Sequence, residues 1–226
     1  MPSIANPPDL DTGLAKQLAQ GTEALGLPVI AEQQTQLLAY LALLQKWNGA
    51  YNLTAVRDPA SMVTRHLLDS LALVPLLRGS YCIDVGTGAG LPGVPLAIMF
   101  PEREFHLLDS NGKKTRFLFQ VQTALALPNI AIYHSRVEAF KPQRLFDAVL
   151  SRAFASLADM VAGTRHLLHP DGVFLAMKGA SPDQEIKEVM GDCQLRSLHR
   201  LSVPGLDEQR HLVELSLAGT AILNPQ

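Results

Sequence analysis

The densest chemical signal in the chain is Ile83-Asp84-Val85-Gly86-Thr87-Gly88-Ala89-Gly90-Leu91-Pro92-Gly93, where a β-prone run meets four glycines within eight residues. Glycine is needed where the backbone takes positive φ or lies against a ligand, because a Cβ would collide. So many at one strand-to-helix turn point to a cradle, with a helix opening near Leu91. Two frames fit it. Gly88-Ala89-Gly90-Leu91-Pro92-Gly93 has the GxGxxG spacing that seats a dinucleotide pyrophosphate on a helix N-terminus. Read from Gly86, the frame is GxGxG with Asp84 two residues ahead. The strand ends at Val85, so the turn opens at Gly86. A carboxylate there repels a pyrophosphate and attracts an ammonium. This favours the methionine end of S-adenosylmethionine, with an NAD(P)-dependent oxidoreductase as the rival reading.

Other residues fall into place around that turn. Asp109 lies 23 residues beyond Gly86, at the end of Leu107-Leu108-Asp109-Ser110, where a carboxylate can accept hydrogen bonds from ribose hydroxyls of either cofactor. After the next strand comes Ser135-Arg136-Val137-Glu138, in which Glu138 can accept from an adenine amino group while Val137 packs on the ring. Successive strand ends then supply cations: Arg136, Arg152 and Lys178. One such cation could simply pair with a surface acid, but three suggest an anionic substrate such as nucleic acid. Arg can also stack on a flipped base. The chain lacks an Asn/Asp-Pro-Pro-aromatic motif after its fourth strand, because Asn6-Pro7-Pro8 stands in the N-terminal tail and is followed by Asp9. Exocyclic amines are therefore poor acceptor candidates. Cys82 and Cys193 are not placed for nucleophilic attack and read as packing residues, which excludes carbon-5 pyrimidine chemistry. A ring nitrogen with a free lone pair, such as guanine N7, needs positioning rather than a general base. Arg152 and Arg136 are the positioning candidates. His66 with Asp69 is the one base-like dyad, and i,i+3 spacing on a helix gives it a structural or RNA-facing reading.

The elements that must carry these residues are readable too. The chain has 226 residues, 47% of them hydrophobic and 18% charged, enough for one packed domain with an appendage. Its net charge is −2 and its pI about 6.4, so any nucleic-acid surface must be local. No apolar run is long enough to span a bilayer, no secretory leader is visible at Met1–Asn6, and two isolated cysteines suit a reducing cytoplasm without a zinc or other metal site. Residues 1–78 read as a helical region. One helix is capped at Asp11-Thr12 and runs to Gly26; a second spans Ala31–Trp47 and stops at Asn48-Gly49. A third opens at the cap Asp58 with Pro59 at its first position and ends near Pro75. Residues 79–226 alternate. Tyr81–Val85, Phe105–Leu108, Ile130–Tyr133, Phe146–Leu150 and Val173–Met177 read as strands, with helices at Pro92–Met99, Lys113–Leu127, Ala155–Leu168 and Pro182–Gly191. Leu195–Val203 and Arg210–Leu217 are joined without a helix and must form an antiparallel hairpin. The expected fold is α/β: a Rossmann-like class I methyltransferase with a seven-stranded, mostly parallel sheet ending in that hairpin, preceded by an N-terminal helical extension.

Several segments together carry a family resemblance. Lys46-Trp47-Asn48 with Tyr51-Asn52-Leu53-Thr54, Arg65-His66-Leu67-Leu68-Asp69-Ser70, the glycine turn, Leu107-Leu108-Asp109-Ser110, Ser135-Arg136-Val137-Glu138, Ser151-Arg152-Ala153-Phe154-Ala155-Ser156, Lys178-Gly179 and Arg210-His211-Leu212-Val213 resemble the RsmG family, also called glucose-inhibited division protein B. The resemblance runs from about residue 35 to the end. It implies methylation of N7 of a guanine in the 530 loop of 16S rRNA, within a small ribosomal subunit or its assembly intermediate. It further implies that S-adenosylmethionine is held by Gly86, Leu91, Val137, Glu138 and Arg152, with Asp84 and Asp109 at the two ends of the crevice and Gly88 within the turn. Asn52, Arg65, His66 and Lys178 would face the RNA. A non-catalytic RNA-binding assembly factor on the same fold is the reading from another class.

Overall fold

The computed structural model describes residues 12–219, so the cap at Asp11 and the Asn6-Pro7-Pro8 segment lie outside the described residues. The helical region comprises α1 (Thr12–Ala24), α2 (Ala31–Tyr51), α3 (Pro59–Met62) and α4 (Asp69–Leu71), with a π-helical segment, Val63–Leu68, between the last two. The alternating region comprises β1 (Tyr81–Val85), α5 (Gly93–Met99), β2 (Glu104–Asp109), α6 (Gly112–Leu125), β3 (Ile130–His134), β4 (Phe146–Ser151), α7 (Leu157–Thr164), β5 (Leu168–Lys178), α8 (Asp183–Val189), β6 (Cys193–Leu201) and β7 (Arg210–Leu217). The seven strands form one sheet in the order β3-β2-β1-β4-β5-β7-β6. The first five pair in parallel, and β7 runs antiparallel to both β5 and β6. This is the doubly wound sheet with a terminal hairpin that the strand rhythm demanded.

Side chains alternate across each strand, and that alternation sorts the core into two layers. Cys82 joins a cluster that reaches through the helical region to Leu18, Leu37, Leu41, Leu44 and Leu67, while Ile83 and Val85 join a second cluster with Phe146, Leu157, Met160 and Val213 on the opposite face. Both cysteines are buried and in no disulfide, and burial pushes the Cys82 thiol up to about 12, so it stays protonated and donates to the Arg78 carbonyl within the packed core. The N-terminal helices thus share a core with the sheet. Tyr40 of α2 is fully buried, and its hydroxyl donates to the Ala89 carbonyl at 2.8 Å inside the glycine turn.

Local chemistry explains where elements start and stop. Asp58 caps α3 through its carboxylate on the Ser61 N–H at 2.8 Å, with Pro59 at the first position, as the sequence dictates. The predicted stop at Asn48-Gly49 does not occur. Helix α2 continues to Tyr51, and Asn52 ends it in the left-handed region with φ 51°. Asn48 does not compete locally for the helix backbone, because its side chain is committed elsewhere. Its Oδ1 accepts from the Thr54 N–H at 2.9 Å and its Nδ2 donates to the Val56 carbonyl at 3.3 Å. One buried amide therefore folds the chain back after the helix. Replacing Asn48 by Ala should lower stability by about 1–3 kcal/mol, the cost of stranding buried backbone partners. Urea unfolding followed by circular dichroism checks this; a midpoint equal to that of the parent chain would show that the amide does not hold the loop.

Candidate functional site

The carboxyl ends of the parallel strands open into three neighbouring cavities that share wall residues. The first, of about 310 Å³, is lined by Val85 and Gly86 after β1, Leu108, Asp109 and Ser110 after β2, Ser135, Arg136, Val137 and Glu138 after β3, and Ala153 and Phe154 after β4, with Lys114 of α6. The second, of about 210 Å³, lies on the other side of the turn, among Leu53, Thr54, His66, Gly86, Thr87, Gly88, Ala89, Leu91, Arg152 and Ala153. The third, of about 380 Å³, is bounded by Val56, Arg65, His66, Asp69, Arg152, Met177, Lys178, Gly179 and Arg210. Gly86 and Ala153 belong to both the first and the second; His66 and Arg152 belong to both the second and the third. A ligand in the crevice can therefore meet one arriving from the basic side.

The turn that separates them is pinned on every side. Gly86 has φ +68°, and a Cβ there would stand 2.6 Å from the Ala153 Cβ, so glycine is required. Its N–H and that of Thr87 donate to the Leu108 carbonyl. The Gly88 N–H donates to Asp109 Oδ2 at 2.9 Å, and the Asn111 N–H donates to Asp109 Oδ1 at 2.8 Å. Lys114 Nζ stands 3.7 Å from the same Oδ2. Asp109 is thus a carboxylate fixed by backbone donors at the crevice wall, one edge of each oxygen still able to accept.

Asp84 behaves differently from the expectation of a ligand-facing acid. It lines none of the three cavities. Strand alternation turns it toward the helix-covered face, where its Oδ2 accepts from the Thr87 hydroxyl at 2.7 Å and the Gly93 N–H at 2.9 Å. Its Oδ1 is buried without a partner, and burial lifts its pKa from 3.8 to about 6, against the pull of those hydrogen bonds. In this structure Asp84 ties the turn to the start of α5.

The cations sort into two kinds. Arg136 is exposed at the crevice mouth with Val137 and Glu138. Arg152 is half-buried, and its Nη1 donates to Asp69 Oδ2 at 3.0 Å; Lys178 Nζ lies 2.8 Å from Glu185 Oε2 and donates to the Ala155 carbonyl at 2.9 Å. Two of the three strand-end cations thus have acid partners, as the simpler reading allowed. Arg65 is ion-paired with Glu208, and Asn52 is exposed with its Oδ1 accepting from Arg57 at 2.6 Å, away from the cavities.

The His66–Asp69 dyad does not form. His66 Nε2 is 2.9 Å from the Thr54 hydroxyl, and Asp69 turns to Arg152 and to Arg210, whose Nε lies 3.0 Å from Oδ1. Both residues sit at the π-helical segment, whose wider turn breaks the i,i+3 geometry a regular helix would give. Asp69 and Arg210 are 141 residues apart, so helical spacing could not reveal their pairing. Lys114 and Tyr40 were missed for the same reason: their partners come from other elements.

With the geometry in view, similarity supplies the missing chemistry. The sequence model of the rRNA small subunit methyltransferase G family matches residues 33–213. The chain belongs to that family. Proteins named ribosomal RNA small subunit methyltransferase G from Stutzerimonas stutzeri and Pseudomonas aeruginosa are 57% and 56% identical to it, over 203 and 202 residues respectively; each alignment covers 89% of this chain and 94% of the relative. In fold it is similar to a SAM-dependent methyltransferase from Aquifex aeolicus, with a TM-score of 0.56 at 13% identity over 73% of this chain and 96% of that one. The chain is accordingly an rRNA methyltransferase, not an oxidoreductase. None of its described helices is long and apolar enough to cross a membrane.

His66 also makes the site sensitive to acid. Burial lowers its pKa from 6.5 to about 4; the Arg65 main chain opposes this in part, and the charges of Arg152 and Arg65 add to the fall. The native state holds the ring neutral, so its contribution is complete above pH 6.5. As pH falls from there toward 4, the unfolded chain takes up a proton the native chain refuses, and stability is lost. Asp84 works the opposite way, binding a proton in the native state between pH 6 and 3.8. A His66→Gln variant should show a flatter fall in Tm between pH 6.5 and 4 than the parent chain. Equal slopes in thermal melts across that range would remove His66 from the acid response.

Proposed function

We propose that the chain binds S-adenosylmethionine in the first cavity and methylates N7 of a guanine of 16S rRNA, in the 530 loop, presented from the basic side. The observation that carries this reading is that the crevice and the basic cavity flank one intervening cavity, sharing Gly86 and Ala153 with it on one side and His66 and Arg152 on the other, across a turn that requires glycine at Gly86. The crevice fits the donor. Asp109 offers a fixed acceptor for ribose hydroxyls, Val85, Leu108 and Val137 offer apolar surface for a flat ring, and Glu138 offers an acceptor for an amino group. Gly88 and Leu91 border the second cavity, into which a methionine arm passing Gly86 would extend.

When bound, S-adenosylmethionine supplies an electrophilic methyl on a positively charged sulfur. A guanine N7 carries a lone pair and no proton, so the chain must bind and orient rather than remove a proton. Arg152 stands between the second and third cavities and is the positioning residue nearest both; Arg136 guards the crevice mouth. Arg65, His66 and Lys178 border the acceptor side. Residues 1–78 act as a helical cap beside the donor and acceptor cavities, residues 79–226 as the transferase domain, in a cytoplasmic protein whose partner is the small ribosomal subunit or its assembly intermediate. Asn52 is kept as an outer RNA contact.

The test is transfer of labelled methyl to small-subunit rRNA, free and within the particle, followed by reduction and aniline cleavage, which breaks RNA at 7-methylguanosine. A single break in the 530 loop is expected; no labelling of any form of the RNA would leave an assembly factor as the better description. For the donor, Asp109→Ala should weaken S-adenosylhomocysteine binding by roughly 1.5–3 kcal/mol for a lost charge-assisted hydrogen bond. Calorimetry decides, with NADH as control: unchanged affinity removes Asp109 from the site, and preference for NADH overturns the donor assignment.

A further inference from the structure

The third cavity gathers more charge than the proposed reaction alone requires. Four cationic side chains border it: Arg65, Arg152, Lys178 and Arg210. Three carboxylates pair with them, Glu208 on Arg65, Glu185 on Lys178, and Asp69 on both arginines that remain. One surplus positive charge is left. Its seat is the Asp69 pair, because that single carboxylate serves two guanidiniums. Asp69 is only 3% exposed. It gives Oδ2 to Arg152 Nη1 and Oδ1 to Arg210 Nε, each at 3.0 Å. Each guanidinium has five N–H donors, and Arg210 spends one more on the Gln209 carbonyl at 3.0 Å. Both side chains keep some surface exposed, 28% for Arg152 and 21% for Arg210, so donors remain for a ligand in the cavity they line. Beside them His66 Nδ1 is buried without a hydrogen-bond partner, an orphan that a bound group can satisfy.

Resting on the proposed function, we infer that this cavity is a phosphate site for the RNA backbone next to the target nucleotide, with Arg210 as a phosphate-binding residue and Asp69 as the positioning residue that holds Arg152 and Arg210 as one fork. The surplus charge of one matches the single charge of a phosphodiester. Paired guanidiniums suit phosphate oxygens better than lysines do, since their planar donors are fixed relative to one another. The arrangement also suits the chemistry. Methylation at N7 leaves positive charge on the base, and an unbalanced cluster of cations nearby would oppose it. Three acids shared among four cations leave only the one charge that a phosphodiester cancels, so the occupied site opposes methylation little. Arg210 comes from β7 and Asp69 from α4, so the fork also joins the terminal hairpin to the helical region.

The experiment measures binding of the full-length chain to small-subunit rRNA over a range of salt concentrations, independently of turnover, alongside S-adenosylhomocysteine affinity. For Arg210→Gln the salt slope of log K against log salt should shrink by about one, with RNA affinity down roughly tenfold or more at low salt. S-adenosylhomocysteine affinity should stay within about twofold, since Arg210 borders neither of the cavities assigned to the donor. Asp69→Asn should raise KM for RNA, and adding it to Arg210→Gln should do little more than Arg210→Gln alone, because the two act as a unit. Asp69→Glu should recover part of the loss. A slope unchanged in Arg210→Gln overturns the phosphate site even where the parent chain methylates normally, and strictly additive effects overturn the role of Asp69. Should Asp69→Asn fail to fold, Arg210→Gln decides. A parent chain that binds no small-subunit RNA overturns the inference and the proposed function together.

Discussion

A loop of bare backbone held in place by carboxylates is the constraint on which the rest of this structure depends. Between β1 and α5 the only large apolar side chain is Leu91, which joins the core at the end of the turn, so the shape of the glycine stretch comes mainly from hydrogen bonds. Asp84 takes the Thr87 hydroxyl and the Gly93 N–H from below, Asp109 takes the Gly88 N–H from the side, and the Tyr40 hydroxyl reaches the Ala89 carbonyl from α2. Charged acceptors make the stronger kind of backbone hydrogen bond. Burial works against them, visibly at Asp84, whose pKa rises to about 6. The site therefore keeps a buried ionisable group, whose desolvation is the cost of satisfying donors that an apolar side chain would leave unpaired.

The helical region belongs to the same argument. It is not a lid attached to a finished domain, because a single apolar cluster runs from Leu18 through Leu41 and Leu67 to Cys82 and Leu107. It supplies one wall of the second and third cavities through Leu53, Thr54 and Val56 of the loop between α2 and α3 and through Arg65, His66 and Asp69. The π-helical segment is what presents Arg65 and His66 there, the kind of local irregularity that recurs at functional sites. On the sheet side, Ser151 fixes the start of the loop carrying Arg152: its hydroxyl donates to the Val85 carbonyl at 2.7 Å and accepts from the Ala153 N–H at 3.0 Å. Strand, turn and helix thus converge on one arginine.

What the amino-acid order revealed, it revealed where the physics is local. Tyr81–Val85 and Arg210–Leu217 have the bounds their β-prone runs suggest, and Asp58-Pro59 opens a helix as such a pair should. Glycine spacing pointed to the turn, and the residues after each strand pointed to the crevice, because a parallel sheet gathers its carboxyl ends. The errors are as informative. Asn48-Gly49 looked like a helix stop, but the Asn48 side chain is occupied by Thr54 and Val56, which no local rule can foresee. The Asp69 carboxylate seemed to belong to His66 three residues earlier, and a π turn sent it instead to Arg152 and Arg210. The spacing of Asp84 before Gly86 suggests an acid beside the ligand, whereas its carboxylate is taken up by Thr87 and Gly93 of the turn itself. Pairings across long sequence separations and departures from regular helix geometry are the two things periodicity does not encode.

The position of β7 in the chain has a consequence for biosynthesis. This strand lies one in from the edge of the sheet, between β5 and β6, although it follows both in the sequence, and it delivers Arg210 to the acceptor side. A nascent chain emerging N-terminus first can build β1, β2 and the glycine turn well before Arg210 leaves the exit tunnel. Until then Asp69 has one guanidinium instead of two and β5 has an unpaired edge, which another strand could occupy. The acceptor side of this rRNA methyltransferase is thus assembled after the crevice for its donor, and pairing of β7 with both β5 and β6 is the step that completes the described sheet.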